Sequence, residues 1–229
     1  MPRAARVVVA GCPHHVTQRG NNRQDVFFGD NDRRYYLRLL AEQAAEQNLA
    51  VEAYCLMTNH VHLIVTPPMA GALSQTLRRV NQFYTQYINR MHARSGHLWQ
   101  DRFFSCSLDE EHYWTAMIYV ERNPVRAKLA ARAWQWAWSS GTAHCGGKDP
   151  TGMLDLASWS KRLAGQDWRE SLARPQDETD AERLRLCTSR GRPFGSDKFV
   201  ARLEHALGLR LHPLPEGRPR KEPETRVRP

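Results

Sequence analysis

Two histidines one residue apart, His60 and His62, stand in the run YCLMTNHVHLIVT at residues 54–66. The run reads as two apolar strands around a short polar turn. Side chains alternate along a strand, so His60 and His62 share one face, while Val61 and Leu63 point the other way into a core. Two neutral imidazoles side by side are half of a site for a divalent cation. A bare His-x-His suits two ordinary strand histidines better. What adds chemistry is a second run, IYVERNPVRA at residues 118–127. On a helical wheel over residues 109–123, Tyr113, Trp114, Met117 and Val120 form the core side, and His112, Tyr119 and Asn123 fall on the other. Tyr119 and Asn123 are i and i+4, hence neighbours. A phenol can attack phosphorus, and an amide oxygen can be a third ligand beside two imidazoles. The alternative is a half-buried aromatic followed by an Asn that ends the helix before Pro124.

The elements that must hold these groups follow from periodicity. Residues 4–10 are apolar, residues 11–13 interrupt them, and residues 14–20 resume an extended pattern; together they form a first strand region. Asp30 or Asn31 caps a helix running to about Gln47, with Leu37, Leu40, Ala41 and Ala44 on one face. Residues 49–57 and 60–66 are the second and third strands, and Pro67-Pro68 stops the latter. From Gly71, apolar residues recur at helical spacing through Leu73, Leu77, Val80, Tyr84, Ile88 and Met91. The opposite side carries Arg78, Arg79, Gln82, Gln86, Asn89 and Arg90, a solvated face that can also track phosphates. Residues 96–108 read as a loop and a fourth strand, and Asp109 caps the helix of Tyr119. Strand, helix, strand, strand, helix, strand, helix is an α+β, ferredoxin-like βαββαβ sandwich with an added C-terminal helix. Beyond Ala130 the pattern weakens. Trp134, Trp136 and Trp138 alternate and pack on the domain, residues 154–186 read as mainly helical, and residues 197–207 can form one more helix. The division expected is a main domain over residues 1–140, a mainly helical region over 141–189 and a basic tail over 190–229.

The chain has 229 residues, with 33 Lys and Arg against 24 Asp and Glu, a formal charge of +9. Such a balance points to a polyanionic partner, nucleic acid before an anionic membrane. No apolar run approaches a membrane span, and the opening MPRAARVVVAG is too short for a signal peptide, so a cytoplasmic protein is expected. Cys12, Cys55, Cys106, Cys145 and Cys187 form no C-x-x-C pair and read as reduced thiols, with neither a disulfide frame nor a zinc knuckle.

N-H-V-H-L-I-V at 59–65, L-W-Q-D-R-F at 98–103 and Y-V-E-R-N-P-V-R-A at 119–127 resemble the REP-associated tyrosine transposases. These are single-tyrosine transposases whose two metal-binding histidines flank a hydrophobic residue. W-S-S at 138–140 and R-G-R-P-F-G-S at 190–196 fit longer members. The resemblance covers residues 5–140 well and the remainder loosely. It implies cleavage and joining of single-stranded DNA at repetitive palindromic hairpins. His60 and His62 would be ligands of Mg²⁺ or Mn²⁺, and Tyr119 the nucleophile forming a 5′-phosphotyrosine link. Related transposases often carry Gln four residues after the tyrosine as third ligand; the shorter Asn123 stands there in this chain. Some relatives are dimers that exchange the tyrosine helix, and the residues after Ala130 would block such an exchange, so a monomer is expected.

DNA contacts would combine charge with stacking. Arg102 and Phe103 lie in the strand near the site, with Trp99 a second aromatic, and Arg126 and Lys128 follow the tyrosine helix. Arg190-Gly191-Arg192-Pro193 and Gly217-Arg218-Pro219-Arg220-Lys221 each resemble an AT-hook, which lays an Arg-Pro core in a narrow minor groove. His112 is a candidate to take the proton of Tyr119. Two rivals remain: a domesticated protein that binds hairpin DNA or RNA without cutting, and a zinc or manganese hydrolase using water, for which acidic or additional histidine ligands are missing.

Overall fold

The computed structural model describes residues 7–212; Arg218, Arg220 and Lys221 lie outside them. Four strands, β1 (His14–Arg19), β2 (Ala50–Leu56), β3 (His60–Thr66) and β4 (Phe104–Ser107), form an antiparallel sheet in the order β2-β3-β1-β4. With α1 (Asp30–Glu46) joining β1 to β2 and α2 (Ala72–Met91) joining β3 to β4, this is the βαββαβ sandwich the periodicity predicts. Residues 7–13 do not extend β1. Gly11 adopts φ 69 and the chain turns there, so Val7 is released to pack with Phe199, Val200, Leu203 and Leu211.

Alternation along the strands separates two cores. Val16, Tyr54, Leu56, Val61, Leu63 and Val65 face α1 and α2, meeting Leu40, Leu77, Val80 and Ile88. Ala53, Cys55, Ile64 and Cys106 face the opposite way, toward α3 (Glu110–Glu121). That second face is where His60 and His62 also point, since they stand four and two residues before Ile64. Gly20 ends β1 just beyond this face, where a Cβ would lie 2.2 Å from the Gln24 carbonyl oxygen. Only glycine lets the chain turn that closely.

The residues after α4 (Asn123–Arg126) close over α3. They form α5 (Gly141–His144), α6 (Leu156–Leu163), α7 (Trp168–Ala173), α8 (Glu178–Arg190) and α9 (Asp197–Leu207). Trp159, Trp168, Leu172, Ala181 and Leu184 join the core beneath the second face. The alternating tryptophans divide: Trp138 packs with the α1/α2 core, and Trp134 and Trp136 with the other. Trp136 donates its indole N–H to the Leu56 carbonyl at 3.0 Å, pinning this segment to β2.

One buried carboxylate ties the closing segment to α3. Glu121, fully buried, accepts from Ser140 Oγ at 2.5 Å and from the Trp168 indole at 2.7 Å, and meets His144 Nδ1 at 2.5 Å. Removing it leaves the His144 and Trp168 donors stranded in a low dielectric, whereas Ser140 can turn to the Tyr54 carbonyl. Glu121→Ala should therefore destabilise the protein by roughly 3–5 kcal/mol, read as a fall in the urea midpoint. A loss below about 1 kcal/mol would mean that the cluster is hydrated in solution.

Candidate active site

Strand pairing sets the neighbours of the histidine pair. Thr17 stands opposite His62 and Arg19 opposite His60. On β1, His15 therefore shares their face, two residues from Thr17. The rings of His60 and His62 lie 4.9 Å apart by centroid. α3 lowers Tyr119 edge-on onto this row, 5.5 Å from the His62 ring and 5.6 Å from that of His15. The helix starts where it does because Asp109 caps it, accepting from the His112 backbone N–H.

The tyrosine is not on an open helix face, as the wheel suggests, but is 3% exposed. α3 lies between the sheet and the closing helices, so both of its sides are covered. Trp114, expected to face the core of the sheet, packs instead on Trp159 and Trp168. Arg126 places its guanidinium carbon 4.2 Å over the Tyr119 ring and donates to Asn123 Oδ1 at 2.8 Å. Arg185 of α8 lies beside the Tyr119 side chain and pairs with Glu178. His112 is committed elsewhere: its Nδ1 lies 2.6 Å from Asp109 Oδ1 and its ring packs edge-on against Phe194.

Both histidines keep one nitrogen for a further partner. Asn59 donates its amide N–H to the Arg23 carbonyl, so its Oδ1 faces His60 Nδ1 at 2.6 Å and must accept. His60 Nε2 then carries the lone pair. His62 Nδ1 is 2.9 Å from His15 Nε2, leaving Nε2 uncommitted. Burial, with Arg19 and Arg126 adding to it, pushes His60 down to about 4, and burial holds His62 well below its ordinary value. Both imidazoles are thus neutral near pH 7, the form in which a histidine ligates. Two neutral imidazoles and a buried carboxamide suit a divalent cation. Asn123 Oδ1 already accepts from Arg126, so it brings one remaining lone pair. Among the described residues, no group of three or more His, Cys, Asp and Glu could hold a metal.

Burial of neutral histidines carries a pH signature. Desolvation lowers His14 to about 4 and His15 to about 3, whereas an unfolded histidine takes its proton near 6.5. The unfolded chain thus binds more protons below that value, and stability falls with pH from about 6.5 toward 4. His14 alone should cost roughly 3 kcal/mol across that window. Urea titrations of metal-free protein at several pH values check this; constant stability between pH 7 and 4.5 would contradict it.

The predicted DNA contacts are scattered. Arg126 is in the site, and Lys128 is exposed just after it, at φ 58. Arg102 is exposed in the loop before β4. Phe103 is 6% exposed in the α1/α2 core, so its face cannot stack on a base. Its neighbour Phe104 is 41% exposed and pairs with Thr17, which puts it on the His60 face. Arg78 and Arg79 sit on α2, across the sheet from the site, and Arg79 pairs with Glu46 at 3.2 Å. Gly191 caps α8 at φ 62, and Arg192 donates to the Arg210 carbonyl at 2.8 Å, so this first Gly-Arg-Pro element is built into the fold. The sequence reading missed His15, Arg19, Phe104, Arg185 and Thr188. Alternation along β1 could have exposed His15 and Arg19. Nothing local marks Arg185 or Thr188, which reach the site only through the packing of α8.

The model of the family described as IS200-like transposases matches residues 8–123. The chain belongs to that family. The match spans β1 to Asn123, the part that carries both histidines and the tyrosine. Among solved structures, a REP-associated tyrosine transposase bound to a REP hairpin superposes with a TM-score of 0.55 at 17% identity, covering 64% of this chain and 86% of that one. A putative transposase from Deinococcus radiodurans R1 gives a TM-score of 0.34 at 20% identity, over 56% of this chain and 95% of the other. No curated protein matches the chain. Among the described residues, no helix is long and apolar enough to cross a membrane.

Proposed function

We propose that this transposase cuts and rejoins single-stranded DNA beside palindromic hairpins, with Tyr119 as nucleophile. The observation that carries the reading is the meeting, in one chain, of Tyr119 with the His60 and His62 pair across the second sheet face. Tyr119 Oη attacks the phosphorus, a P–O bond forms, and the P–O3′ bond breaks. The phenol proton leaves to solvent and the departing 3′ oxygen gains one. The products are a 5′-phosphotyrosine link and a free 3′-OH; attack by a 3′-OH reverses the step without ATP. Arg185, beside Tyr119, would offset negative charge that develops on the phenol oxygen, and Arg126 would hold the ring and Asn123 together. His60 Nε2, His62 Nε2 and Asn123 Oδ1 would hold Mg²⁺ or Mn²⁺. When bound, such an ion supplies charge neutralisation and alignment at a non-bridging phosphate oxygen. The residues after α4 close over the tyrosine helix, which supports a monomer over a dimer that exchanges this helix.

The substrate class rests on charge, on the family and on the REP hairpin bound by the structural relative. Arg19, Arg102, Arg126 and Lys128 would hold phosphates around the site, and Phe104 is placed to stack on an unpaired base. The test is incubation of the protein with hairpin-bearing single strands and Mg²⁺ or Mn²⁺, followed by denaturing electrophoresis. A protein–DNA adduct together with a free 3′ end supports the reading. Tight hairpin binding with no adduct under any metal would favour a protein that only binds.

The second Gly-Arg-Pro element would add phosphate contacts. Deletion after His212 removes Arg218, Arg220 and Lys221 and spares Phe194 and α9, which are packed into the fold. It should weaken DNA binding and reduce the slope of log K against log salt by about 0.7 for each lost phosphate contact on single strands. An unchanged slope would remove these residues from the interface.

A further inference from the structure

A chain of hydrogen bonds runs from α8 into the histidine pair, and its direction follows from the bond that Thr188 makes at the far end. The Thr188 hydroxyl donates to the Leu184 carbonyl at 2.7 Å, the usual back-bond of a helical threonine. A hydroxyl has one proton, so with that proton on Leu184 the Thr188 Oγ1 lone pairs accept from the Cys106 thiol, 3.2 Å away, and from His15. His15 Nδ1 lies 2.7 Å from that oxygen and must therefore donate to it. A neutral imidazole with its proton on Nδ1 has a bare Nε2. His15 Nε2 is 2.9 Å from His62 Nδ1, so His62 must in turn carry its proton on Nδ1. Its Nε2 is left with the lone pair. Reversing the Thr188 hydroxyl would flip both rings and cap His62 Nε2 with a proton, which no cation can share. His15 and Thr188 are buried, at 1% and 2% exposure, so water does not compete for these bonds.

We propose that Thr188 and His15 are positioning residues that set the tautomer of His62, so that α8 is part of the active site. The value of that tautomer for catalysis rests on the reading of His62 as a metal ligand; the tautomer itself does not. A ligating histidine held by an outer partner is pre-oriented and a better base, and losing such a partner typically weakens metal binding about 10–100-fold.

Long-range ¹H–¹⁵N correlation spectra of metal-free, full-length protein report the tautomer of each imidazole directly. Both His15 and His62 should be protonated on Nδ1; a proton on Nε2 of His62 overturns the proposal without any variant. Thr188→Val keeps the shape and removes the hydroxyl. It should release the preference at His15 and His62 and weaken Mn²⁺ binding, followed by electron paramagnetic resonance, by about 10–100-fold, while Thr188→Ser restores both. Wild-type tautomers and unchanged Mn²⁺ affinity in Thr188→Val would sink the relay. Wild-type protein with the expected tautomers but no Mn²⁺ binding would leave the relay standing and remove the metal reading instead.

Discussion

Tyr119→Phe yields a folded protein that binds hairpin DNA and never becomes attached to it. The substitution removes one oxygen. The ring keeps its edge contacts with His15 and His62 and its place under Arg126. What it loses is the polar contact of the phenol with Arg185, a cost of about 1 kcal/mol or less because Arg185 retains Glu178. Cleavage should fall by roughly 10³-fold or more, as expected when a nucleophile that works as part of a unit is removed. A gel assay with end-labelled hairpin DNA reads the loss, and a binding isotherm on the same DNA separates it from loss of affinity. The other tyrosines do not offer a substitute. Tyr84 donates to the Val26 carbonyl in the α1/α2 core, Tyr113 packs against Arg162 and Trp114, and Tyr87 stacks on Tyr35 and donates to Asp32 on the far side of the sheet.

Loss of the histidine pair should be as damaging to cleavage and should separate the two members by stability. His60 and its partner Asn59 are both half-buried. His60→Ala should therefore fold nearly normally, bind Mn²⁺ at least about 10-fold more weakly and cut at background. His62 is 5% exposed and donates from Nδ1 to His15 Nε2. His62→Ala leaves a buried imidazole nitrogen without a partner, at a cost of roughly 1–3 kcal/mol in addition to the lost activity. Single-turnover cleavage over a range of Mn²⁺ and Mg²⁺ concentrations, with urea midpoints for each variant, checks both halves. Normal cleavage by the double variant would remove the metal site from the mechanism.

The sheet and its two crossover helices were legible because each strand and helix carries its own period. β3 and α9 fall on the residues that alternation and spacing pick out, and the proline pair after β3 ends it as expected. The same logic put His60 and His62 on one face. It went wrong at α3 because a helical wheel knows one core. This helix is buried on the sheet side and again under α6, α7 and α8, so an apolar stripe does not tell which side meets the sheet. Phe103 and Phe104 show the same limit at single-residue scale. Adjacent strand residues point oppositely, and only the register of β4 against β1 tells which ring reaches the site. Arg185 and Thr188 were out of reach for a different reason. Their roles depend on α8 docking against β1 and β4, and no local pattern encodes a contact between residues so far apart in the chain.

The central claim is that Tyr119 carries the DNA. Its most direct test is to trap wild-type protein on a hairpin-bearing single strand with Mn²⁺, digest both components, and sequence the modified peptide by mass spectrometry. The account predicts a nucleotide 5′-phosphate esterified to the phenol of Tyr119. A nucleotide on another residue, or hairpin cleavage with no covalent peptide at all, would contradict it.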